Sequence, residues 1–174
     1  MKIIKKEQNT QMRSSKKSKE VQTNKYLRKY DPYENITNTA FMTVEESINS
    51  ETDTLNKLAR TEENGGFGYG WAKGLIMGWI VFLNKTLDRK TSMSEDQIRI
   101  AAHEILQSYG YNKISDLTII FKRILHGYYD LYDGLTLDRL LKIIRMYSEA
   151  RMEIAYDINK RRHEEFKANQ PDAP

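Results

Sequence analysis

From Thr136 to about Glu165 the chain sets Leu140, Ile144, Tyr147, Arg151, Ile154 and Ile158 at alternating steps of four and three. Steps of that size return a side chain to one face of an α-helix and make the seam of helices packed along their length. A helix of this span extends about 43 Å, so the rest of the fold must lie along its stripe. After Ile158 the stripe gives way to Lys160-Arg-Arg-His-Glu-Glu165, an end expected to project into solvent or onto a partner. Only 9 Gly and 3 Pro occur in 174 residues, a balance that favours helices over a turn-rich β fold. The predicted class is all-α: a small helical bundle with a long C-terminal helix and a disordered basic N-terminal arm.

Arg151 interrupts the seam with a guanidinium, which should not lie unpaired in a core. Either a carboxylate of a neighbouring helix pairs with it, or it recognises a partner or a phosphate.

Three more helices are expected between residue 71 and this one. Trp71 to about Arg89 is strongly apolar and reads as a core helix. Met93-Ser94-Glu-Asp-Gln97 is a capping box, opening a helix with Ile98, Ala101, Ala102, Ile105 and Tyr109 at helical spacing until Gly110. Ser115-Asp116 is expected to cap a third, with Leu117, Ile120, Phe121, Ile124 and Leu125 inward and Gly127 as its stop. Before them, Asp31-Pro32-Tyr33 reads as a turn. Thr43 and Glu46 form another capping box, opening one amphipathic helix over 44–60 with Val44, Ile48, Leu55 and Leu58 on its face. The predicted organisation is a flexible basic arm and turn (1–42), an acidic amphipathic helix and linker (43–63), a helical domain (64–166) and a disordered tail (167–174).

Charge is unevenly placed. Residues 1–30 carry ten Lys/Arg against two Glu, residues 31–63 two basic against eight acidic side chains, and the remainder is close to balanced. The Ser/Lys-rich centre of the arm, Arg13-Ser-Ser-Lys-Lys-Ser-Lys19, cannot bury enough surface to offset the entropy of ordering. Lys2, Lys5, Lys6, Arg13, Lys16, Lys17, Lys19, Lys25, Arg28 and Lys29 are the candidate nucleic-acid-binding residues, because each phosphate they neutralise releases counterions. A solubilising tail or a contact with an acidic protein is the alternative.

Several chemistries lack their residues. No cysteine is present, so disulfides, thiolate metal sites and cysteine nucleophiles are excluded, in keeping with a reducing compartment. The N-terminus lacks the apolar run of a secretory signal. His103-Glu104-Ile-Leu-Gln107 starts like a zinc-protease helix but has Gln107 where the second histidine is required. Asn64-Gly-Gly-Phe-Gly-Tyr-Gly70 has neither the Gly-Lys-Ser/Thr ending nor the leading strand of a phosphate loop; a hinge or close-packing loop is expected. Gly70, Gly74 and Gly78 recur every fourth residue, which would let another helix backbone approach. The apolar run there is nevertheless too short to span a bilayer, so no membrane span is predicted. Asp130, Asp133 and His126 match no calcium loop or catalytic triad. No catalytic residue, metal site or cofactor is expected.

Ser115 to Arg151, preceded by Met93-Ser-Glu-Asp-Gln-Ile98, resembles a group of small helical proteins of Bacteroidetes and of their bacteriophages, including crAss-like phages. The shared pattern is a helix ending in Gly127-Tyr128-Tyr129, a turn containing Tyr132, and a helix carrying Tyr147-x-x-x-Arg151. The resemblance covers residues 93–160 and implies a helical module in phage or mobile-element biology, in DNA replication or as a virion component. Physically, Gly127 permits a positive φ that projects Tyr128, Tyr129 and Tyr132 from a short loop. Those tyrosines with Arg151 are the candidate partner-binding residues, although the tyrosines could equally seal the end of the core. The expected function is a non-enzymatic, nucleic-acid-associated accessory protein of the host cytoplasm or virion, with a protein partner or self-assembly. A virion component whose arm orders on assembly, and a helical adaptor, are the alternatives.

Overall fold

Apolar periodicity and side-chain caps account for most of the helices in the computed structural model, which describes residues 28–37, 40–87, 92–131 and 134–169. Seven α-helices occur among the described residues: α1 Pro32–Thr37, α2 Val44–Asn49, α3 Leu55–Ala59, α4 Tyr69–Leu87, α5 Glu95–Ser108, α6 Ile114–Leu125 and α7 Leu137–Ala168. Both expected capping boxes form, Thr43 with Glu46 and Ser94 with Gln97. The bundle is all-α, and none of its described helices is long and apolar enough to cross a membrane.

Helix α4 runs through the middle of the core. It buries Ala72, Leu75, Ile76, Trp79, Ile80 and Leu83 and packs chiefly against α5 and α3. Trp79 is fully buried; its ring meets Phe121 of α6 edge-on at 5.6 Å, and its indole N–H donates to the Tyr30 carbonyl at 2.8 Å. Helix α7 buries Leu140, Ile143, Ile144, Tyr147, Ser148, Arg151 and Ile158, the inner stripe that its spacing predicts.

The N-terminal third departs from expectation. Asp31-Pro32-Tyr33 opens a helix rather than a turn: Pro32 stands at its first position, where a missing N–H costs nothing, and the Asp31 carboxylate accepts from the Glu34 N–H at 3.0 Å. The helix expected over 44–60 is two helices. Ser50 turns its hydroxyl back onto the Ser47 carbonyl at 2.7 Å and ends α2, the local competition that serine offers a helix. Thr54 then caps α3. Backbone hydrogen bonds from Leu55 to Asn112, from Asn56 to Gly110 and from Ile114 to Asp53 stitch the break to the α5–α6 loop. Tyr30, Ile36, Val44, Leu55 and Leu58 belong to the same core as α4 to α7, so the core does not begin at residue 64.

The arm meets this core at Tyr30, which is 2% exposed. Its hydroxyl donates to Asp53 at 2.6 Å. Burial opposes the charge on Asp53, but hydrogen bonds from Lys57 and Tyr30 and the charges of Lys57 and Lys29 outweigh it and hold the carboxyl below its usual range.

The glycines divide into two kinds. A Cβ at Gly66 would collide with the Arg60 carbonyl and lie 2.7 Å from the Lys57 carbonyl oxygen, so Gly66 serves the close packing expected of its loop. At Gly70, Gly74 and Gly78 an added Cβ meets nothing within 4 Å, so this stripe does not bring a described helix of the chain close. Gly66→Ala should therefore destabilise the fold by about 1–3 kcal/mol, as overpacking does. Gly74→Ala should stabilise it by about 0.5–1 kcal/mol, the helix cost of glycine relative to alanine. Urea unfolding of the two variants distinguishes the cases by the sign of the change.

Candidate partner-binding groove

Asp116 lies at the third position of α6, whose N-cap is Lys113; it is not the cap that its sequence neighbourhood suggests. From there its carboxylate accepts the Lys113 backbone N–H at 2.7 Å and points into a space closed by α2 and α7. Ser47 and Tyr147 donate to Oδ1 at 2.6 and 2.7 Å, and the Arg151 Nε donates to Oδ2 at 2.8 Å. The residue is 0% exposed, and four donors meet the capacity of a buried carboxylate. Arg151 is thus committed to an ion pair inside the chain, which removes it from the partner-binding set. Burial first, and then the adjacent carboxylate, push the Tyr147 hydroxyl well above the ordinary tyrosine range, so it remains a donor.

A chain of hydroxyls extends this cluster. Each hydroxyl has one proton; Ser47 gives its proton to Asp116, so across their 2.6 Å contact Ser115 must donate to Ser47. Ser115 in turn stands 2.7 Å from Thr52 Oγ1. Lys113 sends its ammonium onto the Ile48 and Ser50 carbonyls at the end of α2, where burial and then the nearby Arg151 lower its affinity for the proton. Chemically the cluster is a lock. It joins α2, α6 and α7 and has its acid, its base and its hydroxyls turned toward one another.

The surface above this lock is open. Residues 41–45 run over α6 and α7 and bound a groove of about 620 Å³. Its apolar lining comes from Phe41, Met42, Val44, Ile119 and Ile154, its rim from Arg123, Arg161, Glu45 and Asp157, and Tyr128 stands at one end. Arg161 and Glu45 close part of the rim at 3.2 Å. The approach of residues 40–43 is fixed by Lys122, whose ammonium donates to the Ala40 carbonyl at 3.2 Å and lies over the Phe41 ring at 5.3 Å. Burial lowers the pKa of Lys122. Phe41 also meets the His126 ring at a tilt, 4.9 Å between centroids, yet it stays 60% exposed. An apolar floor with opposite charges on its rim suits an amphipathic protein segment.

The residues singled out in sequence fall into different places. Gly127 takes a φ of 74° and projects Tyr128, 69% exposed, into the groove. Tyr129 is half-buried against the core, so it seals the end of the bundle. Tyr132 lies outside the described residues, as do Lys2, Lys5, Lys6, Arg13, Lys16, Lys17, Lys19 and Lys25. Arg28 and Lys29 are helical and exposed, with Lys29 3.7 Å from Asp53. His103 is exposed and bonded to the Tyr69 hydroxyl, and no cluster of metal-ligating side chains occurs among the described residues. Phe41 and Met42 were missed because they lie between helices, where periodicity has nothing to detect. Met42, directly before the capping box of Thr43, was the available signal, since an apolar residue before an N-cap often folds back on the helix.

Compared with known proteins, the chain matches no family model, no curated protein and no solved structure.

Two variants separate the lock from the groove. Arg151→Ala leaves an unpaired buried carboxylate and should cost about 3–5 kcal/mol in urea unfolding. Tyr128→Ala removes an exposed ring and should change stability by less than about 0.5 kcal/mol.

Proposed function

We propose that the protein is a non-enzymatic accessory factor that holds a nucleic acid through its cationic arm and a protein through the groove beside α7. The charge partition carries this reading. Ten of the first 30 side chains are Lys or Arg, against an acidic segment over 31–63 and a near balance of the two signs beyond it. A polyanion is the ligand that such a leader fits best, since affinity grows with each phosphate neutralised and needs no fixed geometry. The groove supplies the second half: an apolar floor with Tyr128 and Phe41 exposed above it offers aromatic anchors of low entropy cost.

Within the resemblance over residues 93–160, the Tyr147-x-x-x-Arg151 motif serves the lock with Asp116, whereas the Gly127-Tyr128 turn serves the groove. A phage replication factor is the setting in which this pairing of arm and groove makes sense. The alternative of a virion component draws on the same groove as a seat for a neighbouring subunit.

Binding of the full chain to a short DNA duplex, followed from 50 to 300 mM salt, tests the reading. Six to eight phosphate contacts should give a slope of log affinity against log salt of about −5 to −7. Scrambling residues 1–27 with their charges retained should leave that affinity within about twofold, and Tyr128→Ala should leave it unchanged. A slope near zero would remove nucleic acid from the proposal.

A further inference from the structure

The outer face of α7, opposite the groove, is organised as a second seam. Glu149, Met152, Tyr156, Asn159, His163 and Phe166 follow steps of three and four for 18 residues and all are exposed. Met152 is 50%, Tyr156 70% and Phe166 63% exposed, a spread of large side chains along one line that an isolated helix has no reason to keep. Heptad spacing of this kind is what a paired helix requires.

We propose that this face pairs with the same face of a second copy of the chain, the two α7 helices running antiparallel about a two-fold axis at the level of residues 157 and 158. Charge selects the occupant and the direction. In the antiparallel register Tyr156 meets Asn159 of the partner subunit and Met152 meets His163 of the partner subunit. The flanking Glu153 then lies opposite Lys160 of the partner subunit, and by symmetry this attraction occurs twice. A parallel pair would instead set Arg162 against Lys167 of the partner subunit, a repulsion that also occurs twice. Self-complementarity of one patch is the property that a two-fold dimer demands. The polar residues within the seam make the association reversible and fix its register, as a buried Asn does in paired helices.

Sedimentation equilibrium of the full chain tests the arrangement. Glu153→Lys and Lys160→Glu each replace two attractions by two repulsions and should raise the dimer dissociation constant about tenfold at low salt. Mixing the two single variants should recover dimers, because the heterologous pair restores opposite charges on both sides. The doubly reversed chain, Glu153→Lys with Lys160→Glu, should recover them alone. All four side chains of a dimer are on the surface, so folding is not at risk. A chain that stays monomeric at millimolar concentration, or a dimer indifferent to both single reversals, or a mixture that fails to recover, would overturn the proposal.

Discussion

A carboxylate with no access to water organises this bundle. Asp116, at 0% exposure, is held by Ser47, Lys113, Tyr147 and Arg151 around it, and those four come from three separate parts of the chain. Hydrophobic burial brings α2, α6 and α7 together, but burial is indifferent to a one-turn slip of a helix. The donors are not. Displacing α7 by one turn would put Ile154 or Tyr147 where the guanidinium belongs and leave the ion pair unmade, which is the sense in which a buried ion pair specifies an arrangement.

That lock also divides the labour of the molecule. Its polar groups are turned on one another, and on the outside α7 presents two faces of different character. The inner edge of the helix lends Ile154, Asp157 and Arg161 to a groove whose far wall is the segment 41–45. The opposite edge carries exposed methionine and aromatic side chains among alternating charges. One helix thus separates two candidate interfaces.

The long helices were legible because each writes its evidence locally. Ser94 with Gln97 marks a start, Gly127 marks a stop, and the stripe from Leu140 to Ile158 marks a buried face. The N-terminal third was harder. Between 44 and 60 the apolar positions fit one continuous helix, and nothing in that window reveals that Ser50 to Asp53 will bond to the first residues of α6 some sixty residues away. Arg151 was recognised as needing a partner, yet Asp116 looked like an ordinary helix cap, since a side chain's burial depends on neighbours distant in sequence. The groove was half visible: the glycine before Tyr128 announced an exposed ring, while Phe41 depends on Lys122 for its position. Identity of a ligand for the arm leaves no trace in a fold and rests on charge.

The order of events during synthesis follows from where the donors to Asp116 sit. Ser47 leaves the ribosome first, its acceptor follows 69 residues later, and Arg151 comes a further 35 residues behind. At ordinary translation speeds of about 5–20 residues per second, the N-terminal third waits roughly 5–20 s before the cluster can close. Until residue 116 follows, the Ser47 hydroxyl lacks its carboxylate, while Ser50 already has the Ser47 carbonyl and Thr52 within its own segment. Completion of the Asp116 cluster is therefore timed by the emergence of the last helix, which carries Tyr147 and Arg151.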